Sequence, residues 1–122
     1  MEHRFESCPT SPNCVCSDDA SSEHNIAAFT LAAPPEKVWQ ALLAIISEMP
    51  RTQVVEESSD YLHVEFTSLV FRFVDDVEFQ LRPDQNIIAV RSASRVGYSD
   101  LGANRQRVEN IRATLVAKGL VR

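Results

Sequence analysis

Apolar side chains recur along this chain with two periods. Val38, Leu42, Ile45 and Met49 repeat at helical spacing, and Trp39, Leu43 and Ile46 widen the same face. Pro34 and Pro35 precede them. Proline is tolerated in a first helical turn, where its missing N–H forfeits no intrahelical bond, and Pro50 ends the helix. Elsewhere the period is two. Tyr61–Ser68 puts Leu62, Val64 and Phe66 on one side and His63 and Glu65 on the other. Phe71–Leu81 alternates with Phe71, Phe73, Val77, Phe79 and Leu81 inward, and Ile87–Val96 with Ile88, Val90 and Val96 inward. Thr52–Glu57 and Ile26–Leu31 read as two further strands. Ser58-Ser59-Asp60 and Pro83-Asp84-Gln85-Asn86 supply turn chemistry between strands. Ser99 or Asp100 caps a last helix with Leu101, Val108, Ile111 and Leu115 on its buried seam.

The order is β-α-β-β-β-β-α. Hairpin-linked strands make an antiparallel sheet, and amphipathic helices cover one face of it. The expected class is α+β, two layers, with a four- to five-stranded sheet under two helices. Residues 1–24, rich in proline, serine and cysteine without an apolar period, read as an irregular N-terminal segment, and residues 25–122 as one domain.

Polar residues interrupt the inward pattern at Asp75, Ser92 and Ser94, and Asn104 interrupts the seam of the last helix. Matching apolar faces sets Leu81 opposite Ile88, Phe79 opposite Val90 and Val77 opposite Ser92, which brings Asp75 opposite Ser94. A register shifted by one would bury Glu78 beside Val90. The same register sets Glu78 opposite Arg91 on the outer face, with Asp76 diagonal to Arg91 and Arg95, a surface charge network. A buried carboxylate needs a partner. An arginine from the last helix or from the Arg95–Asp100 turn would complete Asp75. The cluster reads either as an internal clamp or as the polar end of a ligand pocket between helix and sheet. Arg95 and Arg105 near the helix start add an anion-binding candidate, against which Asp100 competes for the same N–H groups.

With 122 residues, 44% hydrophobic and 24% charged, the chain has room for one domain. The net charge is −5. Residues 91–122 carry seven basic residues against Asp100 and Glu109, so the basic third can dock on an acidic body. No basic stripe interleaves with aromatics, which disfavours nucleic acid as a partner. No apolar run approaches the ~20 residues of a membrane span, and the first residues lack a signal-peptide core. The expectation is that the chain stays where it is made, in the cytoplasm. Motifs for nucleotide binding, zinc hydrolysis or a nucleophile elbow are absent, and His3, His24 and His63 lie far apart, so no catalytic residue and no cofactor is expected.

Three stretches carry a family resemblance: Cys8-Pro9-Thr10-Ser11-Pro12-Asn13-Cys14-Val15-Cys16-Ser17, Phe71-Arg72-Phe73-Val74-Asp75-Asp76-Val77-Glu78-Phe79, and Arg91 through Arg105 with Gly97-Tyr98-Ser99-Asp100-Leu101-Gly102 at its centre. Together they resemble the domain of unknown function 1499 family of bacteria and plastid-bearing eukaryotes. The resemblance implies no established activity. Its members are often preceded by a lipoprotein signal or membrane segment, and they usually have serine where this chain has Cys16. Ala33 through Leu42 also resembles, at fold level, the first helix of helix-grip proteins that hold apolar ligands.

The cysteines admit three readings. Cys8 and Cys14 can close a disulfide loop. Cys14 and Cys16, with Cys8 and His24 or His3, can hold a soft metal. Alternatively, Pro9 and Pro12 simply shape a loop that packs on the domain. The spacing lacks the paired knuckles of a zinc site, so the segment is expected to be ordered without metal. The leading expectation for function is a non-enzymatic domain that binds a small ligand or partner. The alternatives are an interaction protein using the charged sheet face (Asp76, Glu78, Arg91, Arg95) and a thiol-dependent metal or redox protein.

Overall fold

The computed structural model describes residues 4–122. Its elements are β1 (Cys14–Cys16), β2 (Phe29–Thr30), α1 (Pro35–Ser47), β3 (Thr52–Glu57), β4 (Tyr61–Thr67), β5 (Val74–Arg82), β6 (Ile87–Ser94) and α2 (Ala103–Ala117). All strands belong to one antiparallel sheet in the order β1-β6-β5-β4-β3. β2 also pairs with β6, at Ile87 and Ile88, while β1 pairs with it at Arg91–Ala93. Two short segments in tandem therefore cover the β6 edge, satisfying backbone groups that an open edge would leave to chance partners. At the other end of the sheet the β3 register shifts between Val54 and Glu56.

The inward alternation builds the core. Leu62, Val64, Val77, Phe79, Ile88 and Val90 from the sheet are fully buried against Val38 and Leu42 of α1 and Val108, Ile111 and Leu115 of α2. The β5–β6 register sets Leu81 opposite Ile88, Phe79 opposite Val90, Val77 opposite Ser92 and Asp75 opposite Ser94. The hairpin closes through a 3-10 turn, Pro83–Gln85, after which Asn86 adopts the left-handed backbone its short polar side chain tolerates. No helix of the described residues is long and apolar enough to cross a membrane.

Four expectations need correction. The last strand does not reach Val96: β6 ends at Ser94, and Val96 is exposed. The strand does not begin at Phe71: β5 starts at Val74, and Phe71 and Phe73 are exposed. Arg72 has φ 59, which breaks the extended backbone, and Ser68 closes the loop by bonding Phe73 through both its backbone N–H and its hydroxyl. Leu101 is not on the α2 seam: α2 starts at Ala103, and Leu101 has φ 54 and is 96% exposed. Finally, the segment expected to be irregular contains β1, whose Val15 joins the core.

That segment also gives the outer sheet face a cover. Arg82 donates two 2.7 Å bonds to Asp18 and lies over the Phe5 ring. Arg4 sits over the Tyr61 ring, and Arg91 Nε donates to the Glu6 carbonyl at 2.9 Å. Tyr61, Gln80 and Arg82 are buried although they point away from the helices.

Candidate functional site

The polar breaks in the inward pattern meet at one end of the helix–sheet layer. Asn104 is fully buried on the first turn of α2 and is the centre of the cluster. Its side-chain oxygen accepts from Ser92 Oγ (2.6 Å) and from Arg107 Nη1 (2.9 Å). Its amide nitrogen faces Asp100 Oδ2 (2.7 Å), Ser94 Oγ (2.9 Å) and the Asn13 carbonyl (3.2 Å). Two N–H bonds thus serve three acceptors.

Arg107 completes Asp75. Its Nη2 is 2.7 Å from Asp75 Oδ2, while Nη1 reaches Ser92 Oγ (3.2 Å) as well as Asn104. The guanidinium also lies 5.0 Å from the centre of the Phe66 ring. Arg107 follows Asn104 by three residues, so both side chains leave α2 on one face. The pair is mostly buried, a setting where desolvation is repaid only by close geometry and further hydrogen bonds, both present here.

Asp100 fixes the start of α2. Its carboxylate accepts from Gly102 N–H (2.9 Å), Asn104 N–H (3.0 Å) and the Asn104 amide. Burial alone would raise this carboxyl, but the Asn104 and Gly102 donors outweigh it and hold it below the ordinary aspartate value. The helix start therefore already has its anion.

Above the Asp75–Arg107 pair, two loops frame a cavity of about 320 Å³. Ser68–Phe73 contributes Phe71 and Phe73, stacked at 5.6 Å and 18°. The loop between β6 and α2 contributes Val96 and Leu101. Leu69, Val70 and Tyr98 on the same loops are also exposed. Exposed apolar side chains gathered in one place are the informative kind.

Asn13 ties the second loop down. Its Nδ2 donates to the Gly97 carbonyl (2.7 Å), and its carbonyl accepts from Ser94 N–H (2.9 Å) as well as from Asn104. The next residue, Cys14, is disulfide-bonded to Cys8. Cys16 is a free, buried thiol, pushed up by that burial. His24 Nδ1 lies 3.0 Å from the Cys14 carbonyl. The described residues hold no group of three metal-ligating side chains, and His3 lies outside them.

Asp75, Ser92, Ser94 and Asn104 thus come together, whereas Arg95 and Arg105 do not join them. Arg95 is on the opposite face, donating to Asp76 (2.7 and 3.1 Å) and Glu65 (3.0 Å). Asp76 also receives His63 Nε2 at 2.8 Å, and Arg91 is 3.6 Å from Glu78. Burial works against the Asp76 charge, but the bonds from Arg95 and His63 prevail and hold that carboxyl low. Arg105 reaches the Glu23 carbonyl at 3.4 Å. Asn13 and Arg107 were not singled out from the sequence. The three-residue step from Asn104 was the available signal for Arg107. For Asn13 the sequence offers only a local turn bond, which Ser11 Oγ makes to Asn13 Oδ1 at 2.8 Å; its other partners lie some 80 to 90 residues away.

The family model described as a protein of unknown function (DUF1499) matches residues 4–115, and the chain belongs to that family. No curated protein and no solved structure matches it.

Proposed function

We propose that this member of the family of unknown function 1499 is a non-enzymatic binding domain, with its site between the Ser68–Phe73 loop and the loop joining β6 to α2. The observation that carries the reading is the position of exposed Phe71, Phe73, Val96 and Leu101 around a cavity floored by the Asp75–Arg107 pair. An apolar wall with a few convergent polar groups is the usual make-up of a small-molecule site. The ligand it suits is amphiphilic: a flat apolar body against the stacked phenylalanines, and a neutral or donor-bearing head toward Asp75. An anionic head is disfavoured, because Asp75 offsets Arg107 at the floor and Asp100 adds a further negative charge.

The test is binding of Nile red, a neutral apolar dye, followed by fluorescence in wild type and in the Phe71→Ala/Leu101→Ala variant. Saturable one-to-one binding that weakens at least fivefold in the variant supports the site. Equal binding by both proteins sinks it. The charged outer face is a weaker candidate surface, since Tyr61, Gln80 and Arg82 on it are already covered. The Cys8–Cys14 disulfide supports an oxidising compartment over the cytoplasm for the folded protein.

A further inference from the structure

We infer that the Cys8–Cys14 disulfide is a redox latch on this site: its reduction by a dithiol frees Asn13 and with it the loop that carries Val96 and Leu101. The inference rests on the binding reading above for its functional meaning, but the mechanical link stands on its own contacts.

The chain is held differently on the two sides of Cys14. Downstream, Val15 is in the core, Cys16 N–H donates to the His24 carbonyl (2.8 Å), and Ser17 bonds both backbone groups of Val90 (2.9 and 3.0 Å). Upstream, Arg4, Phe5 and Glu6 rest on the outer sheet face, Pro9 and Thr10 between them and Cys14 are exposed, and the disulfide closes this exposed stretch onto Cys14. Asn13 stands at the junction. Its backbone carbonyl serves Ser94 and Asn104, and its side chain holds Gly97, which has the left-handed φ of 88. Opening the ring restores the conformational freedom of residues 8–13, which then competes with the Asn13 bonds. β1, anchored by Val15, stays in the sheet.

The chemistry balances. A thiolate of the reductant attacks the Cys8 sulfur, because Cys8 is part-exposed whereas Cys14 is fully buried. The Cys14 thiolate leaves and takes a proton. The reductant's second thiol then displaces Cys8 and closes the reductant's own disulfide. Two electrons and two protons pass to the protein. Cys16 takes no part, since it is buried in β1.

Amide hydrogen exchange tests the latch directly, because Ser94 N–H donates to the Asn13 carbonyl. On reduction with dithiothreitol, Ser94 should exchange at least tenfold faster while Val77 and Phe79 in β5 keep their protection, and Nile red affinity should fall at least fivefold. Reoxidation should restore both. In the oxidised protein, Asn13→Ala should weaken the dye as reduction does while leaving Ser94 slow, because it removes the Gly97 bond and keeps the backbone carbonyl. Unchanged Ser94 exchange on reduction overturns the latch. So does simultaneous loss of protection at Val77 and Phe79, which would make the disulfide a general staple. If the oxidised protein binds no dye, the binding reading fails by itself, and Ser94 exchange still decides the latch.

Discussion

Arg107 Nη2 lies 2.7 Å from Asp75 Oδ2, joining the last helix to an inward-facing position of the sheet. Two residues separated by 32 positions thereby close a polar network that passes through Asn104 to Asn13. The network is both the floor of the candidate site and a fastening of α2.

Removing one member of a mostly buried ion pair leaves the other without a partner. Asp75→Ala should therefore lower stability by about 3 kcal/mol, read as a shift in the urea midpoint at unchanged slope. Asp75→Leu combined with Arg107→Met should recover much of that loss. A midpoint that does not move in the single variant rejects the clamp.

Asp100 makes stability depend on acid. Its folded carboxyl lies below the value of about 3.9 for an unfolded aspartate. The stabilisation is therefore complete above about pH 4 and is lost as pH falls through the lower folded value. Asp100→Asn should be less stable than wild type at pH 7 and should lose less stability between pH 5 and pH 2. Parallel stability curves for the two proteins would contradict this assignment.

The cysteines give a thiol count. The native oxidised protein should react slowly with a thiol-specific disulfide reagent, because Cys16 is buried and its thiol is raised. One equivalent should appear in denaturant. Replacing both Cys8 and Cys14 with serine should cost roughly 2 kcal/mol, the chain-entropy expectation for so small a ring. Rapid release of two or more thiols from untreated native protein would show that the ring is open.

Arg95 should matter little to stability. Its bonds to Asp76 and Glu65 are on the outer face, where solvent screens them. Arg95→Ala should leave the urea midpoint nearly unchanged. A large drop would mean that this network fixes the strand register.

Register was the most legible feature of the sequence. Slipping β5 against β6 by one residue would bury Glu78, so the apolar pattern allows one pairing, and that pairing places Asp75 across from Ser94. The loops were least legible for the same reason. Phe71 and Phe73 extend backward the alternation of the strand that follows them, and Leu101 the spacing of the helix that follows it. Periodicity records which side a residue would face if the element continued. It does not record the positive φ at Arg72 and Leu101 that stops it. Asp75 announced itself as a carboxylate in need of a cation. Asn13 announced no more than a local turn, because its long-range bonds run through backbone carbonyls far along the chain.

The pairing of β1 with β6 sets Cys14 opposite Ala93, so one of the first strands to leave the ribosome waits for the last strand of the sheet. Throughout that interval the edge it will cover does not exist. The Cys8–Cys14 ring, closed between cysteines six positions apart, needs nothing downstream in order to close. Oxidation can thus precede sheet assembly, delivering to β6 a segment whose bend is already set. Cys16, two residues on, is the wrong partner within reach during the same wait, and its burial by the completed sheet ends that competition. Refolding from the reduced, denatured chain should accordingly pass through a mixture of Cys8–Cys14 and Cys8–Cys16 rings before one of them is trapped.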